Sequence, residues 1–204
     1  MRKLPLILTM IVAISCSSQR QDSLSNDSTV KMVFDSSEIN DLLKIQDFFD
    51  KSIGLTDKNK DEDVLKVYAD FFNTNSEIEK VADLELPINF NDQKDLYNQI
   101  DKKTFENIWS IGWSRKMDSN DTLKNVELNR HGKYVEFLKT LGKQDSIIDK
   151  YCTGLEVAGD ISPAMVADLV KNYNNYNIKD PKIRLMIAIH YLTLNDKFER
   201  KEKY

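Results

Sequence analysis

The sequence predicts an all-α fold, an irregular multi-helix bundle of about seven to nine helices around an apolar C-terminal helix. Three observations carry this. Apolar residues recur at spacings of three and four through most of the chain, the period of a helix with one buried face. Helix-start chemistry repeats at Asp35, Ser76, Ser162 and Asp180, while glycine and proline, the residues that interrupt helices, number only 6 and 4 in 204. Finally, Ile183, Leu185, Met186, Ile187, Ala188, Ile189, Tyr191, Leu192 and Leu194 make a segment apolar nearly all round, which is stable in water only when other elements surround it.

Taken in order, Phe34-Asp35-Ser36-Ser37-Glu38 opens the first helix. Asp35 can cap it and Glu38 sits three residues on, as a capping box requires. Ile39, Leu42, Leu43, Ile45, Phe48, Phe49 and Ile53 continue the stripe to Gly54, a natural stop. Val64, Leu65, Tyr68, Phe71 and Phe72 form a second stripe, and Ser76 to Leu84 reads as a short helix before Pro87. Residues 92–113 carry Leu96, Tyr97, Ile100, Phe105, Ile108, Trp109 and Trp113 at helical spacing and read as one broken helix or two short ones; residues 114–125 read as a polar loop. Val126 to Leu141 fits either a hairpin around His131-Gly132 or a helix, and Tyr134, Phe137, Leu138 and Leu141 favour the helix. Ile147 to Ala158 is a further stripe ended by Gly159. Ser162-Pro163 and Asp180-Pro181 each put a cap before a proline whose missing N–H is harmless in a first turn. The last helix, 181–195, should occupy the centre of the bundle, with the charged tail at the surface.

The N-terminus is organised differently. Met1-Arg2-Lys3 is positive, Leu4 to Ala13 is apolar apart from Pro5 and Thr9, and Ala13-Ile14-Ser15-Cys16 brings small residues up to a cysteine. The apolar run is too short for a membrane-spanning helix, which needs about twenty residues. This arrangement resembles the signal peptide and lipobox of bacterial lipoproteins, with Ala13 where that family favours leucine. The resemblance covers residues 1–16 alone and implies cleavage before Cys16, acylation of its thiol and a lasting membrane anchor. Ser17 follows the cysteine where enteric lipoproteins carry an inner-membrane retention aspartate, and no acidic cluster follows, so the resemblance implies an outer-membrane anchor facing the periplasm. The predicted organisation is a signal peptide (1–15), a lipidated cysteine with a flexible polar tether (16–33) and one helical domain (34–204).

Removing residues 1–16, which hold Arg2 and Lys3 and no acid, takes the formal net charge from −4 to −6. An acidic envelope protein argues against nucleic-acid partners, which select basic surfaces. With Cys16 acylated, Cys152 has no disulfide partner, so a hydrophobic core must supply the stability.

The chain lacks the glycine-rich nucleotide loops, the G-x-S-x-G elbow and the H-E-x-x-H motif, and no cofactor is predicted. Two histidines, His131 and His190, and one available cysteine would need carboxylates from scattered places to complete a zinc site, and no metal is predicted. Asp57, Asn59, Asp61 and Asp63 imitate the opening of a calcium loop, but Glu62 replaces the glycine of its turn and Tyr68 its bidentate glutamate. His190 reads as a core histidine rather than a tuned base, and Cys152 as a small buried side chain rather than a nucleophile served by His131. Trp109 and Trp113, one helical turn apart, are either core or a platform for a partner. The sequence therefore favours a non-catalytic, membrane-anchored module that binds an envelope or secreted protein, one version being an immunity or inhibitor protein for an envelope-targeting toxin. The competing reading is an envelope hydrolase using carboxylates such as Asp83 and Glu85 on peptidoglycan or glycans.

Overall fold

The structure, a computed structural model, describes residues 23–56, 64–78, 80–115 and 121–203. Among them the chain is mostly helical, with nine α-helices and one two-stranded sheet. The order is α1 (Ser28–Val33), α2 (Ser36–Ser52), α3 (Val64–Thr74), α4 (Phe90–Gln99), α5 (Lys102–Ile108), β1 (Trp109–Arg115), β2 (Thr122–Leu128), α6 (Lys133–Gly142), α7 (Ser146–Ala158), α8 (Pro163–Lys171) and α9 (Pro181–Glu199).

Helix α9 is the axis. Leu185 to Thr193 are without exception fully buried, because neighbours cover the helix on every side. The Tyr191 ring stacks on Phe49 of α2 at 6.0 Å and meets Phe71 of α3 edge-on at 4.9 Å. Phe34 packs edge-on against Phe137 of α6 at 5.8 Å. Fully burying each such ring or branched side chain contributes about 1.5–3 kcal/mol.

Sequence-encoded ends fix the helices. Asp35 accepts from the Ser37 and Glu38 N–H groups, and the Glu38 carboxylate accepts from the Asp35 N–H at 2.8 Å, completing the capping box of α2. Ser162 caps α8 and Asp180 caps α9, each with proline in the first turn. Gly54 and Gly159 take positive φ values, +95° and +80°, at the ends of α2 and α7, as a left-handed stop requires. Glu38, almost fully buried, also accepts from Asn107 of α5 at 2.7 Å and Lys133 of α6 at 2.5 Å, clasping three helices. Burial pushes its carboxyl pKa up, but the Lys133 hydrogen bond and the Asp35 N–H outweigh this and hold it below the usual value.

Three expectations need correction. Residues 23–33, assigned to the flexible tether, are folded. Leu24 and Val30 are fully buried, Asp27 caps α1 through the Thr29 and Val30 N–H groups, and its carboxylate pairs with Lys182 at 2.6 Å. Leu24, Val30 and Val33 point inward while Met32 is exposed, so a low apolar content, correctly placed, still buries enough to offset ordering. Among the described residues of 76–84, the one helical element is a 3₁₀ turn, Val81–Asp83, where the sequence predicts a short helix.

The third correction concerns residues 109–128, where a helix end, a polar loop and a further helix give way to an antiparallel hairpin. Its register pairs Trp109 with Leu128, Ile111 with Val126 and Trp113 with Lys124. Aromatic and β-branched residues alternate with small ones along β1, which suits a pleated strand. Gly112 leaves room for the Glu127 side chain, whose carboxylate lies 2.4 Å from where a Cβ would stand. Residues 133–142 then form α6, as the helical reading of that part required.

Candidate functional site: an aromatic cleft beside the hairpin

Where α5 runs into β1, the chain leaves a cleft of about 960 Å³. Lys94, Tyr97 and Asn98 of α4 form one side, Lys102, Phe105 and Glu106 of α5 another, and Ser110 and Ile111 of β1 with Arg200 and Glu202 complete it. The floor is aromatic. Tyr97 meets Phe105 and Trp109 edge-on at 5.2 Å in each case, and Phe105 lies 5.4 Å from Trp109. Such ring pairs add about 0.5–1.5 kcal/mol beyond burial alone.

A buried polar network fixes that floor. The Trp109 indole N–H donates to Thr193 Oγ1 of α9 at 2.8 Å, and Thr193 donates to the Ile189 carbonyl. Gln93 donates to the Tyr97 hydroxyl at 2.6 Å and to the Leu192 carbonyl, and accepts from Asn195 at 2.7 Å. Burial, with the Asp196 charge second, pushes the Tyr97 phenol far above its ordinary range, so it stays a neutral hydroxyl. At the rim, Arg200 grips the buried Asp196 carboxylate with two hydrogen bonds of 2.8 and 2.7 Å, which raise the guanidinium pKa further. Its guanidinium lies 5.5 Å from the Phe90 ring, while Lys94 lies 5.2 Å from the same ring.

Beyond the cleft, β1 carries its side chains into solvent: Ile111 is 53% and Trp113 61% exposed. Large apolar side chains side by side on one strand face are the kind of surface that partners cover. The two outer edges of the hairpin differ. On β2, the Lys124 N–H donates to the Glu202 carbonyl at 2.9 Å, Val126 to Asp196 at 3.2 Å, and Leu128 to Asp160 at 3.5 Å. These three N–H groups thus point away from β1, and the alternation of an antiparallel ladder turns the backbone groups of their partners Trp109, Ile111 and Trp113 away from β2. Trp109 N–H is taken by the Phe105 carbonyl. Among the described residues, nothing pairs with the outward N–H and C=O of Ile111 and Trp113.

The residues singled out in the sequence are dispersed. Cys16, the signal segment, residues 17–22 and the calcium-loop imitation at 57–63 lie outside the described residues. Trp109 and Trp113 share a face as expected, but of a strand; Trp109 is fully buried behind the cleft floor and Trp113 is at the surface. His190 is a fully buried core residue whose Nδ1 lies 2.9 Å from the Tyr151 hydroxyl, and burial, with the Lys197 charge second, lowers its pKa to about 3. Cys152 is buried in α7, where burial raises its thiol pKa. His131 is exposed in the turn before α6, and no hydrogen bond joins the two. Asp83 and Glu85 are exposed and take no part in the cleft. Among the described residues no cluster of three or more His, Cys, Asp or Glu side chains is arranged to hold a metal, and no helix is long and apolar enough to cross a membrane.

Sequence reasoning missed Tyr97, Phe105 and Ile111 as parts of one site. The available signal was the two-residue spacing of Trp109, Ile111 and Trp113 around Gly112, a strand pattern inside an apparently helical run. Compared with models of protein families, with curated proteins and with solved structures, the chain finds no match.

Proposed function

We propose that this chain is a lipid-anchored envelope protein whose helical domain binds another protein, without catalysis, through the aromatic cleft and the adjoining face of β1. The observation that carries the reading is the continuity of the cleft with exposed Ile111 and Trp113, an apolar strip on a rigid support. An immunity or inhibitor role against an envelope-targeting toxin is its most concrete form, since such proteins work by covering a partner's surface.

The position of the strip supports the same reading. The described fold begins at Ser23, next to Asp180 and Lys182 at the start of α9, and Asp27 is ion-paired with Lys182 there. Arg200, at the rim of the cleft, follows the far end of that 19-residue helix, about 28 Å away at 1.5 Å per residue. A tether from Cys16 would meet the described fold at Ser23, beside the end of α9 remote from the cleft, which supports a partner met away from the bilayer.

A photo-crosslinking amino acid at position 110, exposed at the cleft beside Ile111 and Trp113, in the native envelope, followed by affinity purification, tests the proposal. Reproducible recovery of one protein partner is expected. Recovery of none, together with a peptidoglycan- or glycan-hydrolysing activity lost on Glu106→Gln, would refute it in favour of the hydrolase. Separately, Cys16→Ala should release the protein from the membrane fraction; continued association would refute the anchor.

A further inference from the structure

Building on the protein-binding reading, we infer that the partner is engaged by strand addition: an extended segment with apolar and acidic residues on one face pairs with the open edge of β1 and makes the hairpin a three-stranded sheet. The edge is asymmetric in a way that packing alone does not demand. The outer edge of β2 is covered by Glu202 and Lys203 of the C-terminal tail and by the carboxylates of Asp196 and Asp160. The outer edge of β1 leaves the N–H and C=O groups of Ile111 and Trp113 without protein partners among the described residues. A strand edge with exposed apolar side chains invites pairing, and proteins ordinarily blunt such edges with charge, proline or a covering element. Residues 110–114 here are Ser, Ile, Gly, Trp and Ser, none of them a blunting residue.

Geometry and charge then select the occupant. In an added strand, the residue opposite Ile111 shares its face and so points toward the cleft, which offers the aromatic floor of Tyr97 and Phe105. The cleft is lined by three cations, Lys94, Lys102 and Arg200, against two carboxylates, Glu106 and Glu202, on a chain of net charge −4. Arg200 is committed to Asp196, and Lys102 stands 3.5 Å from Glu106. Lys94 rests over Phe90 with no carboxylate within 4.0 Å among the described residues, which leaves a cation for an incoming acid. A second copy of this chain is the wrong complement, because it would bring the same cationic rim and a strand that ends in Arg115.

Backbone amide hydrogen exchange on the full protein tests this, using a synthetic library of short peptides that carry apolar and acidic residues two apart on one face with serine and threonine on the other, and a matched library with lysine replacing the acids. In the free protein the amides of Ile111 and Trp113 should exchange fast while those of Ser110, Gly112 and Ser114, paired with β2, are protected. Members of the acidic library should slow exchange at Ile111 and Trp113, and the lysine library should not. Ile111→Pro removes one outward donor without touching the β1–β2 ladder and should weaken the best peptide roughly tenfold, the equivalent of one hydrogen bond. The wild-type protection pattern decides the matter even if that variant folds poorly. No protection from either library overturns strand addition, and equal protection from both overturns the acidic assignment. Protection that rises with protein concentration alone assigns the edge to a second copy and also overturns the proposal. If the probe at position 110 still captures an envelope protein while these amides stay unprotected, the binding function stands and only its mode fails; if nothing is captured, the binding function itself fails.

Discussion

Acid should destabilise this protein before its carboxylates begin to titrate, and His190 is the reason. The ring is fully buried beside Tyr151 and Tyr191, no carboxylate bonds to it, and the positive charge that acts on it is Lys197. Its folded-state pKa falls to about 3 from an ordinary value of 6.5. A depressed histidine pKa means that the folded chain binds fewer protons than the unfolded chain, so stability is complete above the unfolded value and is lost as pH falls toward the folded one. Each pH unit in that window removes about 1.4 kcal/mol, and lowering pH from about 7 to about 5 should cost roughly 2 kcal/mol. The lowered carboxyls of Asp27, Glu38 and Asp41, whose ordinary values are 3.8 to 4.5, contribute only at lower pH. Urea denaturation across this range checks the figure, with His190→Asn as the comparison. Asparagine keeps a polar partner for the Tyr151 hydroxyl but does not titrate. The wild type should lose about 2 kcal/mol more than the variant between about pH 7 and pH 5. Parallel stability profiles for the two proteins would refute the assignment.

Four further outcomes follow from packing. Glu38→Ala should cost about 2 to 3 kcal/mol in urea denaturation, because it strips the clasp between α2, α5 and α6 and leaves Asn107 and Lys133 without their acceptor. Gly132→Ala should cost about 2 kcal/mol or more, since a Cβ would stand 2.2 Å from the Asn107 carbonyl, which is backbone. Gly112→Ala should cost less than about 1 kcal/mol, the close group there being the movable end of Glu127; equal costs for the two glycines would contradict this. Trp113→Ala should change stability by no more than about 0.5 kcal/mol, as the indole is 61% exposed, yet abolish partner capture from the envelope.

The helical frame was legible because its signals are local. The box at Asp35 and Glu38, the caps at Ser162 and Asp180, and the all-round apolar character of α9 each act within a turn or two, where sequence and structure share one coordinate. Composition alone does not reveal that residues 23–33 fold, because position decides their burial. Leu24, Val30 and Val33 are few, but they fall on the inner side, and Asp27 reaches Lys182, which is 155 residues away in the chain. No window along the sequence contains that pair.

The cleft was hidden by a coincidence of periods. Residues four apart share a face on a helix, where the turn is 3.6 residues, and equally on a strand, where the period is two, so Trp109 and Trp113 could not discriminate between them. Ile111 and Gly112 could have done so. A helix would turn Ile111 away from both tryptophans and gain nothing from the glycine, whereas a strand aligns Ile111 with them and gives Gly112 a neighbour, Glu127, that occupies the space of its missing side chain. The choice between the two periods decides which groups the segment exposes as well as its shape. As a helix, 109–113 would satisfy its own backbone groups and offer only side chains. As β1 it exposes both the side chains and the backbone groups of Ile111 and Trp113 at the mouth of an aromatic cleft, and an edge of that kind is satisfied by a partner's backbone or by water.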